Sequence, residues 1–177
     1  KEHTVDNMTS SMLFSDGAAA MLVSGNEELE GLRIDNFYSM VSLKGKKDMA
    51  WELSSTGFLM TLSGYIPDLI SEDIAELVNR ALEKNNRKQE DITHWCIHPG
   101  GRKILESVAK SLSLQNEQLT HSYQVLRHFG NMSSPTVLFV LKEMLHQLDP
   151  HKPNNILGLA FGPGLTMETF LASTIPS

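Results

Sequence analysis

The chain has 177 residues and a net charge of −6, from 15 Lys and Arg against 21 Asp and Glu, which is enough for one compact domain with a true core. The acidic balance argues against a general nucleic-acid binder, which carries a basic patch to displace counterions, and a composition 41% hydrophobic and 20% charged excludes a disordered chain. No apolar run approaches the roughly 18 residues of a membrane-spanning helix, and the single cysteine, Cys96, rules out an internal disulfide framework, so a cytoplasmic location is expected.

From Met12 to Ser24 the chain is apolar with small residues in the middle, Gly17-Ala18-Ala19-Ala20, and a turn at Ser24-Gly25-Asn26. That composition predicts a buried strand pair or a bent strand where backbones approach closely. Arg33 to Ser42 and Met49 to Leu62 read as further strands, separated by the basic turn Lys44-Gly45-Lys46-Lys47, which reads as solvated surface. Pro67 suits a first helical turn, and Leu69, Ile70, Ile74, Leu77, Val78, Ala81 and Leu82 recur at helical spacing, so an amphipathic helix follows.

Asp91 to His98 predicts a short strand stopped by Pro99-Gly100-Gly101, before Ile104, Leu105, Val108 and Leu112 mark a second helix. Ser133 or Ser134 is placed to cap a third helix with Pro135 in its first turn, and Val137 to Leu141 is apolar all round, so this helix should be buried between layers. Ile156 to Phe161, Gly162-Pro163-Gly164 and Leu165 to Ala172 read as a strand hairpin. The mixed order predicts one α/β layered domain, a mixed sheet packed by helices.

Two side chains stand out as donors to a negatively charged oxygen. His98 closes a strand where glycines leave room for a ligand to pass close to the backbone; the other reading is a histidine satisfied by backbone partners. Asn131, in Gly130-Asn131 just before a helix, is either a plain turn residue or an uncharged amide donor aimed into a pocket. A metal pair of His94 and His98 at i, i+4 needs a helix that Pro99-Gly100-Gly101 forbids, and no third ligand stands nearby in sequence, so no metal site is expected. Cys96 reads as a small buried hydrophobe, and no nucleophile accompanies the donors. The glycines of 158–164 carry neither the dinucleotide fingerprint nor a P-loop pattern.

Four segments in order, Leu13-Phe14-Ser15-Asp16-Gly17-Ala18-Ala19-Ala20, His98-Pro99-Gly100-Gly101, Gly130-Asn131-Met132-Ser133-Ser134 and Phe161-Gly162-Pro163-Gly164-Leu165-Thr166, make the chain resemble the C-terminal half of type III polyketide synthases, the chalcone and stilbene synthase family. The resemblance implies a thiolase-like fold, a homodimer, and a C-terminal domain spanning residues 1–177 whose nucleophile-bearing N-terminal half lies on a part not supplied here. It implies decarboxylative condensation of malonyl-CoA with an acyl-CoA starter, coenzyme A thioesters as substrates, no permanently bound cofactor, and no nucleic acid or membrane partner. The fragment alone is then expected to be inactive.

By motif match, His98 and Asn131 are the catalytic pair and hydrogen-bond the thioester carbonyl of a malonyl unit, His98 also favouring the absent cysteine as thiolate. Gly100 and Gly101 match the wall along which the pantetheine arm runs, while Ser133, Phe161 and Pro163 match the elongation cavity. Two departures from plant members are Ala160 in place of glycine, and Met60 near the position of a gatekeeping phenylalanine. Met60, being flexible, suits a long acyl starter. The rival readings are a ketoacyl carrier-protein synthase III-like enzyme, and a noncatalytic dimerisation or scaffold domain of the same fold.

Overall fold

A computed structural model of the protein describes residues 5–26, 31–55 and 57–174; residues 1–4, 27–30, 56 and 175–177 of the expected domain lie outside the described residues. The helices are α1 (Val5–Leu13), α2 (Ile66–Glu83), α3 (Arg102–Ser111), α4 (Thr120–Phe129) and α5 (Pro135–Leu145). The strands are β1 (Arg33–Val41), β2 (Met49–Ser54), β3 (Gly57–Leu62), β4 (His94–Ile97), β5 (Asn154–Gly162) and β6 (Thr166–Thr174). Four of them form a mixed sheet in the order β1-β6-β5-β4, antiparallel except for the parallel pair of β4 and β5.

Strand alternation sorts the core into two layers, because successive side chains leave opposite faces of a sheet. Trp95 and Ile97 of β4, Leu157 and Leu159 of β5, and Met167 and Leu171 of β6 pack with Ile70, Ile74, Leu77 and Val78 of α2 and Leu105 and Val108 of α3. Cys96 and Ile156, from the intervening positions, pack instead with Val125 of α4 and Val140, Leu141 and Met144 of α5. Gly158 lies in this second layer opposite Phe170, whose ring occupies the space a side chain at 158 would need, with carbon atoms 1.9 to 2.3 Å from an added Cβ. The sheet therefore sits between α2 and α3 on one side and α4 and α5 on the other, the thiolase-like mixed fold anticipated from the sequence.

The spacing at α2 yields a helix whose buried residues are Ile66, Ile70, Ile74, Leu77, Val78, Ala81 and Leu82, with Pro67 in its first turn. On α5, Thr136, Val140, Leu141 and Met144 are buried, whereas Val137, Leu138 and Phe139 remain half-buried. Neither Ser133 nor Ser134 caps α5 through its hydroxyl: Ser134 occupies the cap position with helical dihedrals and no side-chain bond.

Two segments depart from the sequence reading. Met12 to Ser24 forms neither a strand pair nor a bent strand. The stretch is the end of α1, a single parallel bridge between Phe14 and Asn131, and an exposed run from Ser15 to Asn26 without regular structure. A strand needs a ladder partner, and among the described residues no strand edge of this chain runs beside 15–26. Conversely α4 is a helix the pattern did not announce. Its fully buried positions are only Ser122 and Val125, with Tyr123 and Leu126 partly buried against the core; Ser122 is wholly buried and donates from its hydroxyl to the Ile97 carbonyl at 2.7 Å. That bond satisfies an acceptor at the end of edge strand β4 and docks the helix on it.

Candidate active site

β4 delivers His98. Its backbone extends the parallel ladder by one bond, His98 N–H to the Leu159 carbonyl at 2.8 Å, and the following Pro99 and Gly100 turn the chain away toward α3. The imidazole is 8% exposed, and burial pushes its pKa from 6.5 down to about 4, because a low-dielectric setting disfavours the charged ring. His98 is thus neutral at pH 7 and offers one ring N–H as a donor. An imidazolium there needs a countercharge, such as a thiolate, to offset the desolvation.

Asn131 is set from two directions. Its backbone pairs with the end of α1, accepting from Ser15 N–H at 2.9 Å and donating to the Leu13 carbonyl at 3.2 Å, and Gly130 before it has φ +71. A side chain at 130 would meet the Ser15 hydroxyl at 2.9 Å, so the close approach and the left-handed backbone both require glycine.

The side chain of Asn131, 4% exposed, accepts at Oδ1 from Ser133 N–H at 2.8 Å and donates from Nδ2 to the Gly100 carbonyl at 3.2 Å. A backbone N–H can only donate and a carbonyl can only accept, so the amide has one permitted orientation. Nδ2 carries a second proton, and that proton is available to a ligand in the adjoining cleft.

Gly100 joins the two donors. Its carbonyl holds Asn131, its N–H bonds the His98 carbonyl at 3.0 Å, and a Cβ added to it would lie 3.0 Å from Ile104 and 3.7 Å from His98 Nε2. Both side chains line one cleft together with Gly100, Ser133, Met60, Phe161 and Pro163. Gly101 lies just behind, at the N-cap of α3, where an added Cβ would touch Leu13 at an ordinary 3.7 Å.

The facing wall is the β2–β3 hairpin, whose paired residues Met49↔Leu62 and Trp51↔Met60 present one face to the cleft. It is fastened to the turn between β5 and β6, where Gly164 N–H bonds the Met49 carbonyl at 2.7 Å, and the end of β1 holds the same turn through Ser42 N–H to the Leu165 carbonyl at 3.1 Å. Phe14, Met49, Trp51, Leu62, Ile104 and Gly162 also line the cleft and were missed by motif reasoning. The alternation of Met49, Trp51, Met60 and Leu62 was the available signal, since positions two apart share a strand face. The cleft is small and open to solvent, with a volume of about 60 Å³.

Cys96 is fully buried, 3.6 Å from the Val137 carbonyl, and burial pushes its thiol up to about 12. It faces α5 as a packing residue and cannot furnish a thiolate near neutral pH. Lys44, in the basic turn, is tied to Glu72 at 2.7 Å. Among the described residues no group of three or more His, Cys, Asp or Glu side chains is arranged to hold a metal ion, and no helix is long and apolar enough to cross a membrane.

A mixed sheet between helix layers, with a histidine at a strand end and an asparagine before a helix meeting at one cleft, is a thiolase-like arrangement. The family of chalcone and stilbene synthases, C-terminal domain, matches residues 39–176, and the chain belongs to that family. An alpha-pyrone synthesis polyketide synthase-like protein of Mycobacterium tuberculosis is 32% identical over 92% of this chain and 43% of its own length. A 3,5-dihydroxyphenylacetyl-CoA synthase of Amycolatopsis orientalis is 32% identical over 90% of this chain and 44% of its own length. The crystal structure of a polyketide synthase from the brown alga Ectocarpus siliculosus superposes with a TM-score of 0.75 at 30% identity, over 86% of this chain and 42% of that one. The chain spans less than half the length of these relatives.

Proposed function

We propose that the chain is the donor half of a type III polyketide synthase, and that the nucleophilic cysteine is carried by an N-terminal half of the same polypeptide. The carrying observation is the single permitted orientation of the Asn131 amide beside a neutral His98. Two uncharged donors converge there on a cleft with an apolar wall, which is the equipment needed where an oxygen gains negative charge during reaction.

In the proposed reaction an acyl starter sits as a thioester on the cysteine. A malonyl-CoA enters with its thioester carbonyl oxygen between His98 and Asn131. The bond between the malonyl Cα and its carboxylate breaks, carbon dioxide leaves, and the electron pair forms an enolate whose oxygen accepts hydrogen bonds from the imidazole N–H and from Nδ2. The enolate carbon attacks the acyl thioester, forming the new C–C bond while the C–S bond breaks and the thiolate departs. Gly100 and Gly101 border the pantetheine arm, while Met60, Ser133, Phe161 and Pro163 shape the space for the growing chain. The catalytic unit is a homodimer working on acyl-CoA and malonyl-CoA in the cytoplasm.

The test uses the polypeptide that joins this chain to its N-terminal half, supplied with carboxyl-labelled malonyl-CoA and a long acyl-CoA. Labelled carbon dioxide should appear in step with chain extension, malonyl-CoA should be preferred over a malonyl carrier protein, and this chain alone should be inactive. Substantial turnover by the chain alone would contradict the division of labour between the halves.

A further inference from the structure

Resting on that reading, we infer that Thr136 is a positioning residue for Asn131, acting through Ser133. Thr136 is wholly buried in the first turn of α5. Its hydroxyl donates to the Ser133 carbonyl at 2.7 Å, and its backbone N–H reaches the same oxygen at 3.1 Å. The hydroxyl oxygen also lies 3.5 Å from Asn131 Oδ1, but its one proton is committed to the closer acceptor.

Ser133 is where this double grip matters. Its φ is +63, a left-handed backbone that a residue with a side chain adopts only when its surroundings hold it there. That conformation aims Ser133 N–H at Asn131 Oδ1, and the bond to Oδ1 decides which end of the amide faces the cleft. Two bonds from Thr136 to one carbonyl hold the peptide after Ser133. Without the hydroxyl, Ser133 is free to relax toward negative φ, its N–H leaves Oδ1, and Nδ2 loses its aim.

The family match gives Thr136 no role, and Thr136 is absent from the cleft lining. It acts at one remove, as a supporting residue whose hydrogen bond fixes the geometry of the group that touches substrate.

The test is a double-mutant cycle in the polypeptide carrying both halves, read by malonyl-CoA decarboxylation. Thr136→Val keeps the shape and removes the hydroxyl; kcat should fall about tenfold, the equivalent of one lost hydrogen bond, with KM within about twofold. Thr136→Ser should restore most of the rate. In an Asn131→Ala background Thr136→Val should change kcat less than about twofold, since residues acting as a unit are not additive. If the valine variant does not fold, Thr136→Ala takes its place against Thr136→Ser. A rate unchanged by loss of the hydroxyl, a serine variant as slow as the valine one, or an equal loss with and without Asn131 would overturn the inference. Asn131→Ala turning over like the unaltered protein would instead overturn the donor role beneath it, and this inference with it.

Discussion

Lowering the pH should destabilise this chain through His98, and the effect can be sized. The ring titrates at 6.5 when free and at about 4 when folded, burial being the cause. A histidine with a depressed folded pKa contributes stability that is fully present above 6.5 and is lost as pH falls toward 4, because the unfolded chain takes the proton first. Each unit is worth about 1.4 kcal/mol, so by pH 5 the unfolded state has gained about 2 kcal/mol relative to the native one, a large fraction of a typical domain's stability. His94 and His121 are also lowered by burial, with His121 acting further on His94 and Glu143 opposing the shift on His121. The His98 share is therefore read against His98→Gln, which keeps the bulk and removes the titration. Urea unfolding of both proteins at pH 7.5 and pH 5 should show the unaltered chain losing about 2 kcal/mol more than the glutamine variant. An equal loss in both, or an NMR titration of His98 near its free value, would refute the buried neutral imidazole.

Three further outcomes follow from particular contacts. Cys96 should resist alkylation at pH 8 in the folded chain and react once urea unfolds it, since its thiol is fully buried and held near 12; rapid labelling of the native protein, followed by mass spectrometry, would contradict this. Ser122→Ala should cost about 1–3 kcal/mol in urea unfolding by stranding the Ile97 carbonyl, with Ser122→Thr costing less if the added methyl is accommodated. Gly158→Ala should lower the thermal midpoint, because the added carbon would fall inside the space of the Phe170 ring and overpacking typically costs about 1–3 kcal/mol.

What the sequence made legible was whatever is written in local pattern. The 3.6-residue spacing at α2, the Gly162-Pro163-Gly164 turn between β5 and β6, and the strand ending at His98 all came out within a few residues. The resemblance placed His98 and Asn131 on one cleft, and both line it beside Gly100, whose carbonyl accepts from Asn131 and whose N–H bonds the His98 carbonyl. Illegible parts depended on partners remote in sequence. Part of the docking face of helix α4 is Ser122, a polar residue made buriable by one carbonyl across the fold. The strand character read for Met12 to Ser24 finds no ladder among the described residues. The grip of Thr136 on Ser133 is invisible in the string Ser133-Ser134-Pro135-Thr136, which reads as a simple hydroxyl cap.

The central claim is that His98 and Asn131 donate to the same developing oxyanion. It is tested most directly by the decarboxylation rate of malonyl-CoA in the two-half polypeptide, with no acyl starter, for His98→Ala and Asn131→Ala. Each substitution should lower kcat about 100- to 1000-fold while the protein remains folded. A variant lacking either donor that still released carbon dioxide at the unaltered rate would contradict it.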